Sequence, residues 1–332
     1  MKVALVGNMN NNFFSLQRYF LDLGVDANLY LYSNELDHFS PESDTYHYEK
    51  YQNRIFNFPV RINLKSFLFI KKKKIRECFS SYDAIICCGL GMAFFKKSGI
   101  NVDLFVPYGS DLYQVINKKK CNRFLVQLIS NNLVKWQRLA IKSAKFIVAT
   151  SSHAVLKAAL HELKVAATDL GIPMLYGPEY EKSENIDKWA LLNKHDFVVF
   201  SHARQLWVSN PSNLVDYKVN GGNKRNDRLV RGFAQFLEKS RYKRPLLVLL
   251  EYGPDVALTK LLIDELDISA YVAWLPKMNR KKIMPCLRQA NIVVDQLREN
   301  ICGVGGVGYE ALSCGLPLVT YTNQALLDRK SY

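Results

Sequence analysis

Short apolar runs ending in glycine or polar residues alternate along this chain with stretches whose apolar residues recur every three or four positions. Lys2–Val6 is the first such run; it ends at Gly7, passes through Asn8-Met-Asn-Asn-Asn12, and gives way to Phe13–Gly24. There the spacing of Phe13, Leu16, Phe20 and Leu23 predicts an amphipathic helix. The same strand-to-loop step recurs where Asp83–Cys88 runs into Gly89-Leu-Gly91, Asp103–Val106 into Pro107-Tyr-Gly-Ser-Asp111, and Lys145–Ala149 into Thr150-Ser-Ser-His153. Between Tyr176 and His195 the chain turns to Gly177-Pro178 and charged residues, without a strong apolar strand. A second series follows, with strands predicted at Phe197–Ser201, Pro245–Leu250, Tyr271–Trp274, Ile292–Asp295 and Leu316–Thr320. Its helices are predicted at Asn226–Lys239, Asp255–Leu266, Asn279–Ala290 and Val307–Cys314. Short buried strands alternating with helices imply parallel, doubly wound sheets. The expected α/β architecture is two Rossmann-like domains facing a cleft, over residues 1–185 and 186–332, because open α/β sheets bind ligands at the carboxyl ends of their strands.

Composition changes this picture little. With 332 residues, 48% hydrophobic and 23% charged, the chain has the balance of an ordinary globular protein and the length of two domains. No repeat of fixed period and no low-complexity tract interrupts it. Charge adds more. Of a net +15, residues 1–165 hold 23 Lys and Arg against 12 Asp and Glu, and the remainder 22 against 18. A basic first half suits nucleic acid, an anionic membrane face or a phosphorylated substrate, and a run such as Lys71–Lys74 is equally read as a solvated face. The seven cysteines, Cys78, Cys87, Cys88, Cys121, Cys286, Cys302 and Cys314, are scattered and include no C-x-x-C pair, which reads as reduced thiol. Met1–Gly7 is too short for a signal h-region, and no apolar run reaches the ~20 residues of a membrane span. The expected location is the cytoplasm.

The densest chemistry lies in Cys302-Gly-Val-Gly-Gly-Val-Gly-Tyr-Glu-Ala-Leu-Ser-Cys-Gly-Leu-Pro-Leu-Val-Thr-Tyr321, between a predicted strand and a predicted helix. Gly303, Gly305 and Gly306 would leave backbone N–H groups open at a positive helix end, which suits a phosphate. Glu310, about one turn into the helix, repels a bare anion but accepts hydrogen bonds from a sugar diol. Phosphate and ribose together read as a nucleotide; a structural turn with a solvated glutamate gives the same sequence. Arg204 follows the first strand of the second series, and Lys224 in Gly221-Gly-Asn-Lys-Arg225 precedes its first long helix. Converging on a diphosphate, the two cations would stabilise charge on a departing group; apart, they are surface cations of a basic chain.

These residues resemble the GT-B glycosyltransferases of the large retaining, family 4-like group that includes many bacterial polysaccharide enzymes, and the resemblance runs over nearly the whole chain. It implies sugar transfer from a nucleotide-sugar donor to an acceptor hydroxyl, retention at the anomeric carbon, and no cofactor beyond the donor. In that group a C-terminal domain binds the donor, an Arg and a Lys contact its diphosphate, and a Glu in a G…EAxxxGxPV segment contacts the ribose. The corresponding positions are Arg204, Lys224 and Glu310, with Gly315 and Pro317 completing the segment. Trp274-Leu-Pro-Lys-Met278 resembles the segment that packs on the base, implicating Trp274 and Leu275. Many members carry a second Glu where this chain has Cys302; Glu299 lies near enough in sequence to substitute. Members also continue into a terminal helix, so a trimmed or short form is expected at Tyr332.

On the acceptor side the resemblance points to the loop with Asn8, Asn11 and Asn12, and to Gly109, Ser110 and Asp111, the last also counted among catalytic candidates. Asp after Gly-Ser is equally a helix cap, and His153 and His202 are further candidates, such histidines being more often helix-start or core residues than catalysts. No Asp-x-Asp cluster calls for a metal. The implied acceptor is a glycan or lipid-linked glycan, with an anionic membrane surface as a further partner, because Phe67-Leu-Phe-Ile70 directly precedes Lys71–Lys74 and Arg76. A helix packing Phe67–Ile70 in the core beneath solvated lysines is the competing reading. A non-catalytic nucleotide-sugar or nucleic-acid binder is the alternative outside enzymes, although no recognisable nucleic-acid motif is present. An NAD-dependent oxidoreductase lacks its Gly-x-Gly-x-x-Gly after the first strand.

Overall fold

The computed structural model describes residues 1–33, 35–113, 124–149, 154–171, 173–177, 194–208, 223–298 and 304–322. Two compact units divide the chain, Met1–Tyr176 and Gly177–Tyr332. The expected boundary at 185–186 falls outside the described residues.

In the first unit β1 (Lys2–Val6), β2 (Asp26–Leu31), β3 (Ile55–Asn57), β4 (Ala84–Cys87), β5 (Leu104–Phe105) and β6 (Phe146–Ile147) form one parallel sheet in the order β3-β2-β1-β4-β5-β6. Lys2 pairs with Asp26 across β1 and β2, and Val3 with Ala84 across β1 and β4. The apolar β1 run follows from burial on both faces. Val3 and Leu5 pack with Phe13 and Phe14 of α1 (Asn12–Asp22), while Ala4 and Val6 pack with Phe94 and Phe95 of the helix Gly91–Lys97.

The inward face of α1 differs from the expected one. Phe13, Phe14, Gln17 and Arg18 are buried, and Leu23 is 77% exposed. Long-range partners turn the helix. Gln17 donates to the carbonyls of Ala27 and Arg54, and Arg18 pairs with Asp44 where both side chains are fully buried. The Arg18 guanidinium also lies 4.2 Å from the Phe14 ring centroid and 4.7 Å from that of Tyr176, whose hydroxyl donates to Asp22 at 2.9 Å. The last residue of the unit is thereby tied to its first helix.

In the second unit β7 (Phe197–Ser201), β8 (Pro245–Glu251), β9 (Val272–Pro276), β10 (Ile292–Val294) and β11 (Leu318–Val319) form a parallel sheet ordered β11-β10-β7-β8-β9. Val199, Leu247, Leu249 and Val294 share a core with Leu229, Val230 and Phe233 of the following Asn226–Lys239 helix and with Leu262 and Ile263 of Val256–Glu265. Strand order reverses between β1 and β4 in one unit and between β7 and β10 in the other. Loops leaving the carboxyl ends at such a reversal are where open α/β sheets take ligands.

Candidate functional site

At the β7/β10 reversal, His202-Ala-Arg-Gln-Leu206 leaves β7 and Asp295-Gln296 leaves β10. Lys224 bridges them. Its amide donates to the Leu206 carbonyl at 2.6 Å, its carbonyl accepts from Leu297 N–H at 3.0 Å, and its Nζ donates to Gln296 Oε1 at 2.7 Å. Burial pulls the ammonium below its ordinary value; Asp295 opposes this, and the charges of Arg204 and Arg298 add to it. Arg204 is half-buried and makes no hydrogen bond or ion pair among the described residues. The structure thus brings Arg204 and Lys224 into one field, and adds Arg298, Gln296 and Asp295, which the sequence did not single out. Their signal was position: all three follow β10 directly.

The glycine loop is shaped from inside the protein. Gly305 N–H donates to Asp295 Oδ2 at 2.9 Å, and a Cβ on Gly305 would stand 2.6 Å from that oxygen. On Gly308 a Cβ would meet Val304 Cγ1 at 2.3 Å and Leu318 Cδ2 at 2.9 Å. The buried Asp295 carboxylate, then, is what comes close to this backbone, and it occupies the Gly305 amide expected to be open. Gly306 opens the helix Gly306–Ser313, and Gly303, Glu299, Cys302 and His153 lie outside the described residues.

Glu310 is buried on that helix rather than solvated. Arg280 Nε donates to its Oε1 at 2.7 Å, and His202 Nε2 lies 2.5 Å from its Oε2. Burial alone would raise the carboxyl; the Arg280 charge and the His202 hydrogen bond outweigh it and hold it down at about 2. An ionised carboxylate only accepts, so His202 carries its proton on Nε2, and its buried Nδ1 has no partner among the described residues. Arg280 was missing from the sequence reading, which had no way to know that thirty residues separate two ends of an ion pair.

Trp274 packs against the unit's core, with Lys260 Nζ 5.3 Å from its ring centroid, and Leu275 is buried on the other face of β9. Among the described residues no three His, Cys, Asp or Glu side chains converge as a metal site needs.

The β1/β4 reversal of the first unit has a different chemistry. Asn8 is fully buried. Its Nδ2 donates to Asn11 Oδ1 and the Phe39 carbonyl, both at 2.7 Å, its Oδ1 accepts from Phe14 N–H at 2.9 Å, and its amide donates to Glu35 Oε1 at 2.8 Å. Asn11 adopts a left-handed backbone, and Asn12 Oδ1 is buried with no hydrogen-bond partner among the described residues. Asp111 accepts from Gly89 N–H at 2.8 Å, Gly109 N–H at 3.0 Å and Tyr108 N–H at 3.1 Å, joining the loops after β4 and β5; Ser110 is half-buried beside it. Burial nevertheless raises Asp111 to about 7 and, despite the Asn8 amide, Glu35 to about 7 as well. Glu35 is the acidic neighbour of the asparagine loop that the sequence did not reveal, because it sits after β2.

Residues 185–328 match the family model described as Glycosyl transferases group 1. No curated protein matches the chain in sequence. Among solved structures, the Anabaena protein Alr3699/HepE in complex with UDP-glucose is 16% identical with a TM-score of 0.59, covering 98% of this chain and 82% of that one. Sucrose-phosphate synthase from Thermosynechococcus elongatus is 14% identical with a TM-score of 0.54, covering 96% and 81%. The lipopolysaccharide outer core galactosyltransferase WaaB in its apo form is 14% identical with a TM-score of 0.53, covering 96% and 80%.

Proposed function

We propose, for a chain whose second unit is a glycosyl transferases group 1 domain within a two-domain GT-B fold, that it transfers a sugar from a nucleotide-sugar donor to an acceptor hydroxyl. The observation that carries this reading is the cation field at the β7/β10 reversal, where Arg204 and Arg298 both act on Lys224. A donor diphosphate gains negative charge as its bond to the sugar breaks. Cations already in place stabilise that charge without reorganising at the moment of reaction. Lys224 is pre-set by Gln296 and two backbone bonds, while Arg204 has its guanidinium uncommitted among the described residues. Glu310, kept ionised by Arg280 and His202, has lone pairs left for a ribose diol. The similarity to Alr3699/HepE, whose structures hold UDP and UDP-glucose, supports a donor of this class.

In this reading transfer proceeds with retention, the leaving phosphate taking the acceptor's proton, and Asn8, Asn11, Asn12, Gly109, Ser110 and Asp111 stand on the acceptor side. The acceptor is a glycan or lipid-linked glycan assembled in the cytoplasm or at the inner membrane face. Among the described residues no helix is long and apolar enough to cross a membrane. Hydrolysis and transfer across a nucleotide-sugar panel test the activity, with the product anomer assigned by NMR. Arg204→Ala should lower turnover while leaving thermal melting unchanged. No turnover of any nucleotide sugar, together with no calorimetric binding of any nucleoside diphosphate, would remove the reading.

A further inference from the structure

The basic run after Phe67–Ile70 divides into an anchored part and a displayed part. Phe67 is fully buried, its ring edge-on to Phe94 at 5.2 Å, and its carbonyl accepts from Lys97 Nζ at 2.6 Å. Ile70 packs against the same core, and Ile75 and Phe79 seat the helix Lys72–Phe79 in it. With those four residues fixed, Leu68 and Phe69 are turned outward, 45% and 71% exposed, beside the exposed Lys65 and Lys71–Lys74. The run Phe67–Ile70 is therefore split, Phe67 and Ile70 belonging to the core and Leu68 and Phe69 to the surface.

A second surface of the same character lies on the helix Phe124–Lys142, which packs on the short helix Leu64–Leu68. Its first buried residue is Leu133; before that, Phe124 is 79% exposed, Leu125 70% and Leu128 57%. Phe124, Leu128, Asn131, Lys135, Arg138 and Lys142 follow one another at steps of four and three, so they share a face that is apolar at one end and cationic at the other. At the cationic end a groove of about 440 Å³ runs between Asn131, Val134, Lys135, Arg138, Leu139 and Lys142. Arg138 pairs with Glu162 at 3.7 Å and Lys73 with Glu77 at 3.7 Å, leaving the surface strongly positive.

We infer that this side of the first unit docks on an anionic lipid bilayer, Leu68, Phe69, Phe124, Leu125 and Leu128 entering the headgroup–acyl boundary while the lysines and Arg138 meet the headgroups. Solvation accounts for lysines but not for phenylalanines held out in water beside them. A polynucleotide would satisfy the charge and leave the leucines exposed. Apolar side chains flanked by cations match the one surface whose polar, negative layer lies directly over an apolar one. The docking goes beyond the transfer chemistry and does not depend on it.

Co-sedimentation with vesicles of phosphatidylcholine, alone or mixed with phosphatidylglycerol, tests this. Binding should require phosphatidylglycerol and fall with salt. Replacing Lys71–Lys74 by Gln should weaken it about tenfold or more. Leu68→Ser with Phe69→Ser, or Leu125→Ser with Leu128→Ser, should weaken it by about tenfold as well, with thermal melting and nucleotide-sugar hydrolysis in the absence of vesicles unchanged. Three results would each overturn the inference: no preference for phosphatidylglycerol at low salt, undiminished binding of both serine pairs, or single-stranded DNA retaining the protein with the same dependence on all three variants.

Discussion

Each unit of this chain has one strand-order reversal of the same topology, and the two carry opposite electrostatics. At β1/β4 the carboxyls of Glu35 and Asp111 are surrounded by amides, tyrosines and thiols, and burial drives both up to about 7. At β7/β10 the equally buried Glu310 is held at about 2 by Arg280 and His202, and the neighbouring lysine is the group whose charge is penalised. Topology therefore selects where a ligand binds, whereas the sign of the field depends on whether a cation is packed within reach of each buried acid. In the proposed reading the first reversal takes hydroxyl-rich, uncharged groups and the second a diphosphate.

The contrast breaks most sharply at Arg280. Arg280→Ala should leave Glu310 buried without its main counter-charge and destabilise the second unit by about 3–5 kcal/mol, read by urea denaturation. Adding Glu310→Gln should recover a large part of that loss; no recovery in the double variant would place the damage in packing rather than charge. Next comes Lys224→Ala, expected to lower turnover about a hundred- to a thousandfold, with Lys224→Arg recovering part of it in the same kinetic assay.

The pH dependence of stability should run in opposite directions in the two units. Asp111 has its folded pKa raised from 3.8 to about 7, so the native state binds the extra proton. Its contribution is complete below about pH 4 and is lost as pH rises through 7. Glu310 has its folded pKa lowered from 4.5 to about 2, so its contribution is complete above about pH 4.5 and is lost as pH falls through 2. By linkage the first amounts to about 4 kcal/mol and the second to about 3 kcal/mol. Melting followed against pH should show the first slope vanish in Asp111→Asn and the second in Glu310→Gln.

Smaller effects sharpen the local picture. Asn8→Ala strands the Phe14 N–H and the Phe39 carbonyl inside the first unit, at a cost of about 2 kcal/mol in chemical denaturation. Gly305→Ala forces a methyl against the Asp295 carboxylate and should cost about 1–2 kcal/mol, with a weaker affinity for nucleoside diphosphates by calorimetry as the loop shifts.

Much of the scaffold was legible in the chain. Lys2–Val6, Phe197–Ser201 and Asn226–Lys239 form with the bounds their apolar pattern predicts, since each is a local run with a glycine or polar residue at its end. Asp26–Leu31 was not marked as a strand. It places Asp26 and Asn28 between its apolar residues, and the buried Asn28 is satisfied by Tyr82 Oη at 3.0 Å, fifty-four positions away. No local window contains both partners.

The same limit applies to the candidate site. Arg204, Lys224 and Glu310 were visible because strand-end loops, glycines and a carboxylate occur in a recognisable order. Their surroundings were not. That Glu310 is gripped by Arg280 and His202, that Asp295 takes the Gly305 amide, and that Arg18 turns its helix toward Asp44 are decided by side chains far apart in sequence. Periodicity reports which residues avoid water, because burial is a property of one element against any apolar surface. Charge state and hydrogen bonding are properties of pairs, and within each unit the pairs exist only once its own loops have folded over its own sheet.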